Sequence, residues 1–116
     1  MLNLHSSKDR FNTTTSAVFA AVAEHFGHLA VKDIISPPRS WFDAYIARGV
    51  AMHVMVHIFN LPVRHLTKTT GRTRWIVNRS CRQIDDRLQC PVFQQHYQKI
   101  AARAEALLAE KFAEAA

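Results

Sequence analysis

Apolar positions recur at helical spacing along most of the chain, and nowhere do they alternate as they would in a half-buried strand. Over residues 16–26, Val18, Ala21, Val22, His25 and Phe26 form one stripe; Thr13, Thr14, Thr15 and Ser16 offer N-caps, and Gly27 ends the helix. A short helix over 31–36 is stopped by Pro37 and Pro38, with Arg39 and Ser40 in the loop that follows. Residues 41–59 make the most apolar helix. Ala44, Ala47, Ala51, Met55 and Ile58 line one side, while Val50, Met52, Val54 and Val56 spread apolar character almost all round it. Such a helix is central and buried on several sides. Pro62 suits the first turn of a fourth helix over 62–68, capped by Asn60. A fifth runs from about 73 to 88. Pro91 interrupts the chain, and a long sixth helix over 92–112 carries Phe93, Tyr97, Ile100, Ala104, Leu107, Leu108 and Lys111 at helical spacing. The expected fold is all-α, with about six helices: a loose arm over 1–12, one domain over 13–113 and a frayed tail over 114–116.

The fifth helix is the most informative. Val77, Cys81, Ile84 and Leu88 share one stripe. Trp75, Arg79 and Arg82 fall on the opposite face, with Asn78 at its edge. Gly71 permits a tight turn just before it, and the helix before that turn is short. Short helix, turn, and a second helix showing a polar, basic outer face form the outline of a helix-turn-helix, whose second helix lies in a DNA major groove.

Charge strengthens that outline. The 116 residues carry a formal net charge of +6. Residues 63–87 hold seven Lys/Arg (Arg64, Lys68, Arg72, Arg74, Arg79, Arg82, Arg87) against Asp85 and Asp86, a net +5 in one stretch. Such a cluster suits a polyanion. Arg82 can also pair with Asp85 or Asp86 along the helix. No apolar run is long enough to span a bilayer, and residues 1–10 lack an apolar signal core. Cys81 and Cys90 suggest no disulfide framework; one helix through both would set them about 13 Å apart. A reduced, cytoplasmic and nucleoid-associated protein is expected. Three glycines, with no GxxxxGK[ST], argue against a nucleotide-binding loop.

Catalytic chemistry finds little support. No nucleophile–base pair and no paired carboxylates in an apolar setting are visible, so no enzyme activity and no cofactor are expected. His53 and His57 form an i, i+4 pair placed on the outer face of the third helix. Two histidines so spaced can hold zinc, but the Glu of HExxH is absent and the sequence points to no third ligand, so no metal is expected. Cys81, on the apolar stripe, reads as a small core residue.

Four stretches carry a family resemblance: AVAEHFGHLAVKDIIS (21–36), ARGVAMHVM (47–55), Leu61-Pro62, and TGRTRWIVNRSCRQIDDRL (70–88). Over roughly residues 17–108 the chain resembles the C-terminal duplex-binding domain of the bacterial chromosomal replication initiator, DnaA. The resemblance implies a Trp-repressor-like helical fold. Gly71, Arg72, Val77, Cys81, Arg82 and Ile84 stand where the family has the same residues. Arg48 stands at the family's phosphate-touching helix arginine. The family's ATPase domain has no counterpart here, which implies a free-standing DNA-binding domain that regulates transcription or replication.

The departures fall on the base-reading positions. The family's Asp-His-Thr-Thr is here Thr73, Arg74, Trp75 and Ile76, and its basic minor-groove loop is reduced to Ser36-Pro37-Pro38-Arg39-Ser40. The expected interface with duplex DNA comprises Arg39, Arg48, Lys68, Thr70, Arg72, Thr73, Arg74, Trp75, Asn78, Arg79 and Arg82. Arg72 or Arg74 suits a guanine edge; Arg48, Lys68, Arg79 and Arg82 suit phosphates. A second reading is a protein-interaction module that keeps the scaffold and turns Trp75 and Ile76 to a partner protein. Burial of Trp75 against the sixth helix or the N-terminal arm is the structural alternative for that side chain.

Overall fold

The computed structural model describes residues 3, 5–38 and 42–115. Arg39, Ser40 and Trp41 lie outside the described residues, and with them the reading of Arg39 as a DNA contact.

The first helix begins earlier than its apolar stripe suggests. Ser6 caps it, its Oγ accepting from the Asp9 amide at 3.3 Å, and α1 runs Ser7–Phe26. The hydroxyls of Thr14 and Thr15 do not cap. They donate back to the Arg10 and Phe11 carbonyls inside the helix, both at 2.8 Å. Residues 7–12 are therefore helical rather than a loose arm, and Phe11 packs against the core. The short α2, Val31–Ile35, follows, and then, past the two prolines, the central α3, Phe42–His57. Ten residues of α3 are buried, on several sides, as its apolar character predicts, but Ile58, expected to line one side, lies beyond the helix end and is exposed.

Asn60 takes φ +56° just beyond α3, where it turns the chain rather than capping the next helix. That helix, α4 Val63–Thr70, has Pro62 at its N-cap with no side-chain cap bond. α5 spans Arg74–Arg87. Pro91 opens α6, Pro91–Ala115, as its first residue, where its missing N–H costs nothing. The helix continues through Glu114 and Ala115 of the tail expected to fray. Lys111, placed on its apolar stripe from spacing, is exposed and faces Glu114 instead.

No strand occurs among the described residues, and the fold is all-α. α1 lies along α6 and α3, α2 bridges α1 and α3, and α5 packs on α3 with α4 against it. Phe19, Ile34, Met52, Met55, Leu66, Ile84 and Ile100 are fully buried where these layers meet. The approach of α5 to α3 is close at Gly49. A Cβ there would stand 3.3 Å from both Ile84 Cγ1 and Cδ1.

Candidate nucleic-acid interface

The turn between α4 and α5 is held by backbone and hydroxyl chemistry. Gly71 sits in the left-handed region at φ +69°, and its amide donates to the Thr67 carbonyl. Thr70 is buried; its hydroxyl donates to the Leu66 carbonyl at 2.8 Å and accepts from the Arg72 amide at 3.3 Å. Thr73 is the N-cap of α5, its Oγ1 accepting from the Ile76 amide at 3.3 Å. Two of the sequence-predicted contacts, Thr70 and Thr73, thus build the turn. α4 is in turn tied to α1: the His65 Nε2–H donates to Thr15 Oγ1 at 2.7 Å, and its ring leans on Phe11.

α5 divides as its spacing predicts. Val77, Cys81 and Ile84 are buried, while Arg74, Trp75, Asn78, Arg79 and Arg82 are exposed. Trp75 is 61 % exposed, so it is not buried against α6. The Arg79 guanidinium lies over its ring, 5.3 Å from the centroid. The first turn of α5 contains no acidic residue and opens on Arg74, so the positive end of the helix dipole and the cations point the same way. Arg82 makes no ion pair with Asp85 or Asp86 among the described residues.

Arg48 is the most telling side chain. It reaches from α3 to the turn and is only 6 % exposed. Its Nε and Nη1, and the Nε of Arg72, are buried with no hydrogen-bond partner among the described residues. Burial, and then the like charge of Arg72, hold the Arg48 guanidinium below its ordinary pKa; the guanidinium carbon also lies over the Tyr45 ring, 5.4 Å from its centroid. Two neighbouring arginines with unsatisfied donors and no carboxylate partner are costly in the free protein. An oxyanion with several acceptor oxygens would satisfy both.

Some basic residues were not anticipated. Lys8, in the supposed arm, joins Arg64 and Lys68 around an open cavity of about 560 Å³ beside α4, floored by Phe11 and Pro62. The missed signal was Ser6 followed three residues later by Asp9, an N-cap with an acidic first turn.

The largest departure concerns His53. Spacing put it on the outer face of α3, yet it is buried, at the junction of three helices. Nε2 donates to Asp85 Oδ1 on α5 at 2.6 Å, and Nδ1 meets the Tyr97 hydroxyl on α6 at 2.5 Å. Burial drives its pKa below the ordinary histidine value, helped by His57 and opposed by the Asp85 hydrogen bond and charge. Cys81 belongs to the core as expected, its thiol pushed up to about 11 by burial and then by Asp85. Cys90 is exposed, beyond the end of α5, and both thiols are free.

Comparison with known protein families, with curated proteins and with solved structures finds no match to this chain. No helix among the described residues is long and apolar enough to cross a membrane.

Proposed function

We propose that the chain is a duplex-DNA-binding domain of the kind that ends the bacterial replication initiator, with α4, the Gly71 turn and α5 as its helix-turn-helix. The observation that carries this reading is the buried Arg48 side chain, its Nε and Nη1 unpartnered among the described residues, beside Arg72. A protein keeps two like charges so placed when something outside it supplies the anion, and a backbone phosphate has the charge, the oxygens and the access. Arg74, Arg79, Arg82 and Lys68 continue the cationic surface on either side. Arg74, with Arg72 through the two terminal nitrogens that its Nε leaves free, is the base-edge reader, matching guanine O6 and N7. The role is regulatory, in transcription or replication.

Trp75 supports a second reading. A tryptophan 61 % exposed at the front of α5, with half-buried Ile76 beside it, also suits a protein partner. In the groove the same ring would press on a thymine methyl or a sugar. Thr73 lacks the carboxylate that would accept from cytosine, and Trp75 is far larger than the Thr it replaces in the family pattern. Each wrong base contact costs about 1–3 kcal/mol, so the domain reads a sequence other than the initiator's own box.

The test is selection from random duplexes, followed by affinity measurements on the winning site and on an unrelated one. Arg48→Met is expected to weaken both alike, while leaving thermal stability unchanged or higher, since an apolar side chain replaces an unpaired buried charge. Arg72→Ala should cost about 1–3 kcal/mol on the selected site and relax preference at one base. Recovery of the initiator's box, or equal losses with no change in sequence profile, would refute the assignment of Thr73 to Ile76 and of Arg72. Wild-type stability that collapses in Arg48→Met would mean that Arg48 serves the fold and not an anion.

A further inference from the structure

His53, His57 and Asp85 lie together across the seam between α3 and α5. One ligand atom from each falls within 4.8 Å of the other two. We propose that these three side chains form a binding site for a divalent transition-metal ion, with zinc the best fit.

The donor set selects the ion. Two imidazoles and one carboxylate, with no cluster of further oxygens, suit zinc or its first-row neighbours rather than magnesium or calcium. Three protein ligands leave one position for water. The geometry is close to what the ion needs. The His53 and His57 rings are neighbours on one face of α3, 4.3 Å apart between centroids and inclined by 32°. His53 Nε2 and Asp85 Oδ1 are 2.6 Å apart. Two ligand atoms each about 2.0–2.2 Å from zinc stand roughly 3.3 Å apart at a tetrahedral angle. The hydrogen bond therefore opens by less than about 1 Å, which a rotation of the half-exposed Asp85 side chain provides.

The support behind the ligands is already built. His53 is buried, and its far nitrogen is held by the Tyr97 hydroxyl at 2.5 Å. The carboxylate is an acceptor only, so in the metal-free neutral ring Nε2 carries the proton and Nδ1 accepts from Tyr97. On metal binding the proton leaves Nε2 and the ring is protonated at Nδ1 instead, which then donates to the Tyr97 oxygen. No net proton is released from His53. That is the oriented second partner that metal-bound histidines ordinarily have. His57 is exposed and makes no hydrogen bond among the described residues, so its ring is available. The i, i+4 spacing of HVMVH is thus completed from another helix, by a residue that the sequence alone did not bring near it. The ion would pin α5, the exposed basic helix, to α3.

The test uses the full chain without an affinity tag. Cobalt(II) is titrated with the ligand-field absorption as readout, and zinc is then added to displace it, with calorimetry for stoichiometry. One ion per chain is expected. His57→Ala changes an exposed residue and Asp85→Asn keeps an oxygen that can accept from His53 Nε2, so the fold survives, and each should remove the site. Tyr97→Phe keeps the packing and deletes the hydroxyl; it should weaken binding about 10–100-fold. His25→Ala removes a second histidine pair, His25 with His96 at 2.9 Å between α1 and α6, and should leave binding unchanged. Absence of a saturable cobalt spectrum, binding that survives both His57→Ala and Asp85→Asn, or loss on His25→Ala would each overturn the proposal.

Discussion

α3 buries two side chains that ordinarily face water, and the structure treats them differently. His53 is satisfied on both nitrogens, by Asp85 and Tyr97. Arg48 has two nitrogens with no partner among the described residues. The first is therefore a structural node and the second an unmet demand. The node has a pH signature. The unfolded chain takes up a proton on histidine near the ordinary value, whereas folded His53 does so only at lower pH, because burial outweighs the help of Asp85. His25 and His65 are shifted the same way by burial. Stability is therefore fully present above pH ~6.5 and falls as the pH drops below it through the folded values. Denaturant unfolding at a series of pH values, with His53 followed by NMR, checks this. A His53 ring that titrates above 6.5 would show that the Asp85 pair dominates. Neither burial was visible from spacing. A helix apolar nearly all round has no polar stripe to mark which side faces out, so HVMVH read as an outer pair.

At the scale of the element, the pattern of α5 was legible because a single stripe is buried and, Trp75 and Ile76 apart, the rest is polar. Val77, Cys81 and Ile84 go in; Trp75, Asn78, Arg79 and Arg82 stay out. The ends of helices were less legible. Thr14 and Thr15 looked like caps, but a Thr hydroxyl bonds as readily to the carbonyl one turn behind it, and Ser6 started α1 instead. How α5 is seated could not be read at all, since it depends on a glycine of another helix. Gly49 lets Ile84 approach to a distance that a Cβ would crowd. Gly49→Val adds two methyls beyond that Cβ. The expected net loss is about 1–3 kcal/mol from overpacking, less a few tenths recovered in helix propensity. Duplex affinity should fall with it as α5 lifts from α3. Denaturant melts and binding on the same preparation check both, and a variant as stable as the wild type would show that the seam is looser than described.

Over the whole molecule, positive charge gathers on and beside α4 and α5. Residues 63–87 hold a net +5 of the chain's +6, and the fold brings Arg48 from α3 beside Arg72 and Lys8 from α1 beside Arg64 and Lys68. The local basic run was readable, and Arg48 was expected from the family resemblance; Lys8 was not, because its place depends on how α1 packs. The direct consequence is salt dependence. If roughly four to six phosphates are neutralised, the logarithm of the association constant falls against the logarithm of salt concentration with a slope of about −4 to −5. Fluorescence anisotropy with a random duplex, from dilute to physiological salt, measures it. Tight binding in dilute salt with that slope is the expected result. No detectable binding to any duplex in dilute salt, or affinity that ignores salt, would contradict the assignment of this face to DNA.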